Sequence, residues 1–325
     1  MKQLLILFLA LLLSTSLVGC FYDSNLIIKD ESSKQVSTVS VSKTLSSQEI
    51  SSTVVSSKAT LSSKVVSSSK KPVVIPTSSV TPAISSSKAP DDPNADLKNQ
   101  ICQKYNVEIL YGDDTTWDLT GTNINISYLR DPTYIKYGLQ LIDEQLARYP
   151  QGFFGDLSRK LRIFLITSLT QNYTGLATYN NPKYFELYLA SNEYSVSTLH
   201  HELMHMVDFT FNDKSNKTDD FNNWDSYNIS SFSYTKNDTN DYNNVYKKNS
   251  DLQNTYFVTA YSKKNELEDR AELFSDLMTG TSANPYYTTD CPLKRKLLYL
   301  TSEIKRLMPS VQNASSVEWE KNLIK

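Results

Sequence analysis

The stretch His200-His201-Glu202-Leu203-Met204-His205-Met206-Val207-Asp208 decides how this chain is interpreted, and it contains all three histidines of the protein. On an α-helix, residues four positions apart lie on the same face, one turn from each other. His201 and His205 can therefore direct two imidazoles at one metal ion, in the pattern H-E-x-x-H. The helix is expected to pack into a core and hold the rings rigidly, because apolar residues surround them: Leu199, Leu203, Met206, Val207 and Phe209.

Glu202 follows the first of these imidazoles and lies on the side where a zinc-activated water would be placed. Zinc lowers the pKa of such a water, and a neighbouring carboxylate can take its proton. We therefore expect Glu202 to be the general base of a zinc hydrolase. The pattern leaves one alternative open, an ordinary helix whose three histidines are satisfied polar side chains.

A third ligand has to come from an oxygen, because no histidine remains outside the motif. Three protein ligands and a water are typical of catalytic zinc. Among the downstream acids, Glu268 and Glu272 lie one turn apart on one face of a predicted helix. One of them can bind zinc while the other orients a histidine ring. The alternative is a pair of solvated acids on a surface helix.

These residues resemble a known family. The stretch Glu268-Asp269-Arg270-Ala271-Glu272-Leu273-Phe274 resembles the E-x-x-A-E-x-F signature of the catalytic domain of anthrax lethal factor and its relatives. His201 to Asp208 is similar to the H-E-x-x-H-x-V-D of the same group, which are gluzincins. The E-D-R-A-E part also resembles bacterial lipoproteins predicted to be zinc-binding metallopeptidases. Because the resemblance is specific in these two blocks only, it does not identify a substrate.

The resemblance implies a site for one zinc ion per chain. His201, His205 and Glu268 would be the zinc ligands, Glu202 the general base, and Glu272 the acid behind the ligands. The implied activity is that of a zinc metallopeptidase, in which a zinc-activated water hydrolyses a peptide bond.

Two further residues enter through the same resemblance. Tyr261, seven residues before Glu268, would donate a hydrogen bond to the oxyanion, although simple packing is the alternative for this tyrosine. Asp208 competes as third ligand by analogy with aspartate-ligand zincins. It lacks their G-T-x-D context, so we expect it behind the ligands, in the same layer as Glu272.

The first residues resemble a lipoprotein signal. Met1-Lys2-Gln3 supplies a positive start, Leu4 to Leu13 is an apolar run, and Leu17-Val18-Gly19-Cys20 resembles a lipobox. We expect residues 1–19 to be removed and a lipid on Cys20 to anchor the chain to the outside of a bacterial membrane. An ordinary secretory signal and an uncleaved anchor are the alternatives, but the apolar run is short for a membrane helix.

Composition divides the remainder of the chain. Residues 20–93 are rich in Ser, Thr, Lys and Pro and are predicted to form a disordered tether. Residues 94–325 are predicted to form the metallopeptidase domain. The net charge of -2 argues against nucleic acid as a partner. The resemblance implies a peptide or protein substrate, and we expect a monomer. Cys102 and Cys291 either form a disulfide or remain two thiols, since an exported location permits both.

The predicted fold class is α+β, a zincin-like metallopeptidase fold. It has a small mixed sheet, an active-site helix and a mainly helical C-terminal lobe. Strand 184–190 is the candidate edge strand for pairing with an extended substrate, and a buried strand is the equal alternative. Residues 212–254 form either a lid or, the option we favour, a surface excursion with a small aromatic cluster. The remaining predictions are helices at 96–105, 133–149, 197–209, 265–278 and 293–307, and extended segments at 107–111, 161–166, 175–179 and 257–261.

Three caps are expected at the ends of these helices. Asp131 lies at the start of helix 133–149, Asn265 can cap the helix that carries the acids, and Ser195 or Ser197 can cap the metal helix.

The sequence therefore predicts a cell-surface zinc endopeptidase. Three alternatives from other classes stay open. The first is a non-catalytic zincin-fold surface lipoprotein for binding or adhesion, against which the intact Glu202 argues. The second is a zinc amidase that acts on cell-wall peptides. The third, a zinc-sensing lipoprotein, is disfavoured because such proteins tend to carry His-rich tracts.

Overall fold

The computed structural model describes residues 92–114, 124–170, 173–191, 194–214, 221, 223–234, 241–247, 250–280 and 284–323. The predicted signal peptide, the lipidation site Cys20 and nearly all of the predicted tether lie outside the described residues. Within the described ranges, no helix combines the length and the apolar character that crossing a membrane requires.

A small mixed sheet of five strands forms the first layer of the fold. The strands are β1 Glu108–Leu110, β2 Ile126–Tyr128, β3 Lys160–Leu169, β4 Gly175–Thr178 and β5 Tyr184–Ala190. Their order is β1-β3-β5-β4, with β1, β3 and β5 parallel, β4 antiparallel to β5, and β2 antiparallel to the end of β3. The predicted small mixed sheet is thus confirmed, although β2 was not predicted.

Of the two predictions for β5, the edge strand is wrong and the buried strand is confirmed. β5 pairs with β3 over seven residues and with β4 on its other side, so the edge strand at this end of the sheet is β4. Six consecutive residues of β5, 185–190, are buried. A continuous buried run is typical of a central strand covered on both faces.

Helices supply the rest of the regular structure, and most of them follow the sheet. The predicted caps are observed: Asp131 accepts a hydrogen bond from the Thr133 amide at 2.8 Å, and Asn265 accepts one from the Glu268 amide at 2.9 Å. Ser195, not Ser197, accepts from the Thr198 amide, at 3.4 Å. The helices are α1 Ala95–Tyr105, α2 Pro132–Leu146, α3 Val196–Lys214, α4 Glu266–Thr279, α5 Pro292–Leu307, α6 Pro309–Asn313 and α7 Glu320–Leu323.

Helix α3 is the centre of the molecule. Every residue from Thr198 to Phe211 is buried, because the sheet covers one side of the helix and α4 the other. The main core joins one face of β3 and β5 to α2, α3, α4 and α5, and it therefore holds α3 in place. The opposite face of the sheet has its own cluster, in which Phe164 and Tyr188 stack with ring centroids 4.5 Å apart.

The prediction that residues 257–261 are extended is wrong for every residue after Phe257. Phe257 forms one bridge with Val245, after which the chain bends and makes a 3-10 turn at Tyr261–Lys263. The Thr259 hydroxyl accepts from the Ser262 amide at 3.2 Å. Short side-chain bonds of this kind offer the backbone an alternative to a strand.

The favoured prediction for residues 212–254, a surface excursion with a small aromatic cluster, holds for most of the described part. Most of its side chains are exposed or half-buried, and Phe232 and Tyr234 pack in a small cluster with Phe257.

Two aromatic residues depart from this prediction. Trp224 and Phe221 are buried in the main core, where Trp224 faces Tyr299 of α5 with ring centroids 6.3 Å apart. The aromatic residues are therefore part of the packing around α4 and α5. A buried tryptophan needs a partner for its N–H, and here Asp269 of α4 accepts it at 3.0 Å.

The two cysteines of the folded unit are free thiols. Cys102 is half-buried on α1, while Cys291 is buried at the start of α5.

Candidate metal centre

Three buried side chains from two helices converge on one point. His201 and His205 lie one turn apart on α3, with ring centroids 4.9 Å apart. Glu268 enters from α4, and its Oε2 lies 3.1 Å from Nε2 of His201 and 3.5 Å from Nε2 of His205. One donor atom from each residue lies within 4.8 Å of the other two. The residues predicted as zinc ligands are thus brought together.

Helix α4 delivers Glu268 because it runs antiparallel to α3 and is fastened at both ends. Near its start, the Arg270 guanidinium donates to Oδ1 of Asp208 at 2.7 Å, and both side chains are buried. Further along, the Ser275 hydroxyl donates to the Ser197 carbonyl at 2.7 Å. Asp208 therefore braces the two helices against each other, and it is not among the grouped donor atoms.

Each ring nitrogen of His201 faces a carboxylate. Nδ1 lies 2.9 Å from Oε1 of Glu272, and Nε2 lies 3.1 Å from Oε2 of Glu268. A proton on Nε2 makes the ring a hydrogen-bond donor to Glu268, whereas a proton on Nδ1 leaves the Nε2 lone pair opposite that carboxylate. In the second form, a metal cation between Nε2 and Oε2 offsets the repulsion between the two electron-rich atoms.

The spacing also fits zinc. Donors about 2.0–2.1 Å from a tetrahedral zinc lie roughly 3.3 Å from one another. The two distances from Glu268, 3.1 and 3.5 Å, bracket that value. Two imidazoles and one carboxylate are a donor set of catalytic zinc, and they leave a position open for a water or a substrate.

Hydrogen bonding keeps Glu268 ionised although the side chain is fully buried. Burial by itself would raise the pKa of Glu268, but hydrogen bonds to His201 and His205 outweigh it and hold the pKa well below its ordinary value. An ionised carboxylate at neutral pH is the form that a metal ion needs.

Glu202 is buried beside the edge strand, and a glycine makes room for it. A Cβ built on Gly175 of β4 would lie 2.8 Å from Oε1 of Glu202 and 2.5 Å from Cγ2 of Thr198. Contacts this short mean that a side chain at position 175 would displace Glu202 and Thr198. The carboxylate of Glu202 is therefore held next to the backbone of β4.

The phenol of Tyr261 lies at the metal centre, as part of a chain of contacts. It donates to Oε1 of Glu268 at 3.0 Å and accepts from Nζ of Lys264 at 2.7 Å. The hydroxyl of Thr259, from the same turn, donates to Oε2 of Glu272 at 2.7 Å. The turn found in place of the expected extended segment thus contacts two acids of α4, Glu268 and Glu272.

The third histidine does not belong to the donor set. Nδ1 of His200 lies 2.8 Å from the Tyr149 hydroxyl, and Nε2 lies 3.2 Å from Oε1 of Gln145. Burial, with a smaller contribution from Arg148, lowers the pKa of His200 to about 3, so its ring is neutral at neutral pH. His200 is a satisfied core histidine that joins α3 to α2.

Comparisons with known proteins add little to this geometry. No protein-family model and no curated protein matches the chain. A crystal structure of a proposed zinc-binding metallo-peptidase from Bacteroides caccae ATCC 43185 is similar, with a TM-score of 0.43 and 15% sequence identity. The match covers 72% of this chain and 92% of the other. At that TM-score the likeness carries no argument, and the assignment rests on the side chains.

Three residues of the site are not predicted from the sequence: Gly175, Thr259 and Lys264. An isolated glycine within a strand often marks a close approach of another group, so Gly175 left a usable signal. Thr259 and Lys264 left none, because their contacts depend on a turn that the sequence pattern presented as extended.

Proposed function

We propose that this chain is a zinc-dependent endopeptidase that acts outside the cytoplasm, anchored to the cell membrane by a lipid on Cys20. One observation carries the peptidase proposal. His201, His205 and Glu268 converge at zinc-like spacing, and Glu202, which follows His201 in the chain, is fully buried. The proposed location rests on the sequence before the folded unit, where Leu17-Val18-Gly19-Cys20 resembles a lipobox.

His201, His205 and Glu268 would hold the zinc. Bound there, zinc would polarise the scissile carbonyl and lower the pKa of a water molecule. Glu202 would accept a proton on its carboxylate and later pass it to the leaving amine nitrogen. Glu272 would keep the His201 ring in one orientation, and Tyr261 would donate a hydrogen bond to the oxygen that gains charge.

The edge strand β4 supports a peptide as the substrate. β4 is the last strand of the sheet, and an extended peptide can add to such an edge through main-chain hydrogen bonds. Because Gly175 of β4 lies against Glu202, a peptide paired with β4 would pass close to the proposed base.

The test is metal analysis and peptide cleavage with the full chain and two variants. The wild-type chain should bind one zinc and cleave an unfolded protein. Glu202→Gln should keep the metal and lose at least about a hundredfold in turnover, the contribution of a general base. Glu268→Ala should lose zinc, whereas Glu266→Ala, on the same helix, should keep it.

Three results would reject parts of this proposal. Retained activity in Glu202→Gln would remove the assigned base, and unchanged zinc in Glu268→Ala would move the ligand elsewhere. Cleavage of wall fragments in place of unfolded protein would make the enzyme an amidase. Zinc binding without any hydrolysis would leave a binding lipoprotein.

A further inference from the structure

The two carboxylate oxygens of Glu268 face different groups. Oε2 faces the imidazoles of His201 and His205. Oε1 points the other way, where it accepts from the Tyr261 phenol at 3.0 Å and from Nζ of Lys264 at 3.0 Å. The side chain of Glu268 is fully buried, so these contacts replace water around both oxygens.

Lys264 holds its position through several contacts. Its ammonium also donates to the Tyr261 oxygen at 2.7 Å, so it bridges the phenol and the carboxylate. Lys264 and Glu268 are four residues apart, and the lysine side chain is 21% exposed. A charge-assisted bond to a fully buried carboxylate is stronger than one between exposed groups.

The neighbouring Lys263 anchors the turn from which Lys264 projects. The Lys263 side chain is 4% exposed, pairs with the Asp241 carboxylate, and donates to the Asn243 carbonyl at 2.9 Å. It also lies 5.6 Å from the centroid of the Phe257 ring. Two adjacent lysines therefore have separate tasks, since one fastens the turn and the other reaches the metal centre.

We propose that Lys264 is a positioning residue that makes Glu268 a one-oxygen metal ligand. With Oε1 occupied by an ammonium and a phenol, only Oε2 is available to a metal. The ammonium also keeps Oε1 satisfied whenever the Tyr261 phenol turns towards a substrate oxygen. The proposal rests on the zinc site proposed above, and it does not depend on which bond the enzyme cleaves.

Removal of Lys264 has two consequences that act in the same direction. Oε1 loses a donor and can turn to the metal as an additional ligand. The positive charge of the Lys264 ammonium is also lost, so it no longer repels the divalent cation. Lys264→Met should therefore bind zinc more tightly, by about tenfold, with a higher coordination number. A lysine that only stabilised the turn would have the opposite effect, weaker binding with unchanged coordination.

The experiment is absorption spectroscopy of the full chain loaded with Co²⁺, together with zinc affinity measured by chelator competition. Four-coordinate Co²⁺ absorbs visible light more strongly than five- or six-coordinate Co²⁺. Lys264→Met should show weaker visible absorption than the wild type and tighter zinc binding. Lys264→Arg, which keeps the charge and the donors, should restore the wild-type spectrum. Lys136→Met, on an exposed position of α2, is the control and should change neither value.

Every other outcome refutes one of three claims: the role of Lys264, the metal site or the peptidase activity. A wild-type spectrum in Lys264→Met, or weaker zinc binding in that variant, would refute the role of Lys264. A second variant, Lys264→Gln, should behave as Lys264→Met does, and thermal melting would show that both variants are folded. A wild-type chain that binds no Co²⁺ would refute the metal site and this role with it. Metal binding without hydrolysis would refute the peptidase and leave this role intact.

Discussion

At the scale of single residues, each group of the metal centre is held by a second group behind it. Thr259 holds Glu272, and Glu272 faces the far nitrogen of His201. A ring orientated in this way loses little conformational freedom when a metal binds, and a supporting contact behind a histidine ligand is typically worth roughly 10–100-fold in metal affinity or activity. Lys264 differs, because it holds the oxygen of Glu268 that points away from the imidazoles and keeps that oxygen from the metal.

Gly175 supports the first residue-scale prediction. Gly175→Ala places a methyl group against Oε1 of Glu202 and against Thr198, so the carboxylate has to move. We expect a loss of turnover of about tenfold or more, because a displaced base transfers protons poorly, and a loss of about 1–3 kcal/mol in the free energy of unfolding. Peptide cleavage and urea denaturation measure the two effects.

Gly155 offers the matched control. A Cβ at this position would meet only Nδ2 of Asn106, at 4.0 Å, so Gly155→Ala should leave both values near those of the wild type. Equal effects of the two substitutions would show that Gly175 has no special relation to Glu202.

At the scale of elements, a buried charged network between α4 and α5 stabilises the α3–α4 pair. Asp269 accepts from Nζ of Lys296 at 2.6 Å, from Nε1 of Trp224 at 3.0 Å and from the Tyr234 hydroxyl at 2.8 Å. Burial raises the pKa of Asp269 and lowers the pKa of Lys296, while the contact between the two opposes both shifts. Asp269 thus joins α4 to α5 through Lys296, and it joins α4 to Trp224 and Tyr234 as well.

Asp269→Asn tests this network. The substitution leaves the ammonium of Lys296, which is fully buried, without a counter-charge. Breaking a buried pair in this way typically costs about 3–5 kcal/mol, and denaturant unfolding would measure the loss. Asp290→Asn is the control, because Asp290 is 84% exposed in its pair with Arg295 and an exposed pair is worth about 0–1 kcal/mol. An unchanged free energy of unfolding in Asp269→Asn would mean that the network does not stabilise the helices.

At the scale of the whole molecule, a metal held between α3 and α4 should stabilise the folded unit. A ligand at a hundred times its dissociation constant adds about 2.7 kcal/mol. For a folded unit of this size, we expect a chelator to lower the melting midpoint by roughly 5–10 °C. Glu268→Ala should melt at the same temperature with and without the chelator, and a wild-type chain that behaves in that way would contradict a stabilising metal site.

The proposed anchor is a property of the whole chain as well. Cys20→Ser removes the thiol that a lipid would modify, so the protein should move from the membrane fraction to the soluble extracytoplasmic fraction. Fractionation of cells that express the full chain would measure the change, with Cys102→Ser as the control. Retention of Cys20→Ser in the membrane would favour an uncleaved anchor.

Local patterns were enough to predict much of this protein. The four-residue spacing of His201 and His205 places both rings on one face of any α-helix. Asp131 and Asn265 indicate where two helices begin, because their side chains can cap the first amides of a helix. These properties depend on residues within one or two turns of each other. The helix assignments and the mixed sheet, which follow from such short-range patterns, agree with the structure.

The tertiary structure decided what depends on contacts distant in sequence. It placed β5 inside the sheet, buried Trp224 against α4, and turned the segment before α4 so that Lys264 meets Glu268. The approach of Gly175 to Glu202 likewise joins a strand to a helix. A sequence pattern specifies which face of an element is apolar, but the partner of that face is chosen by packing across the whole fold. The residues that bear the motif were therefore predictable, and the residues that support them were not.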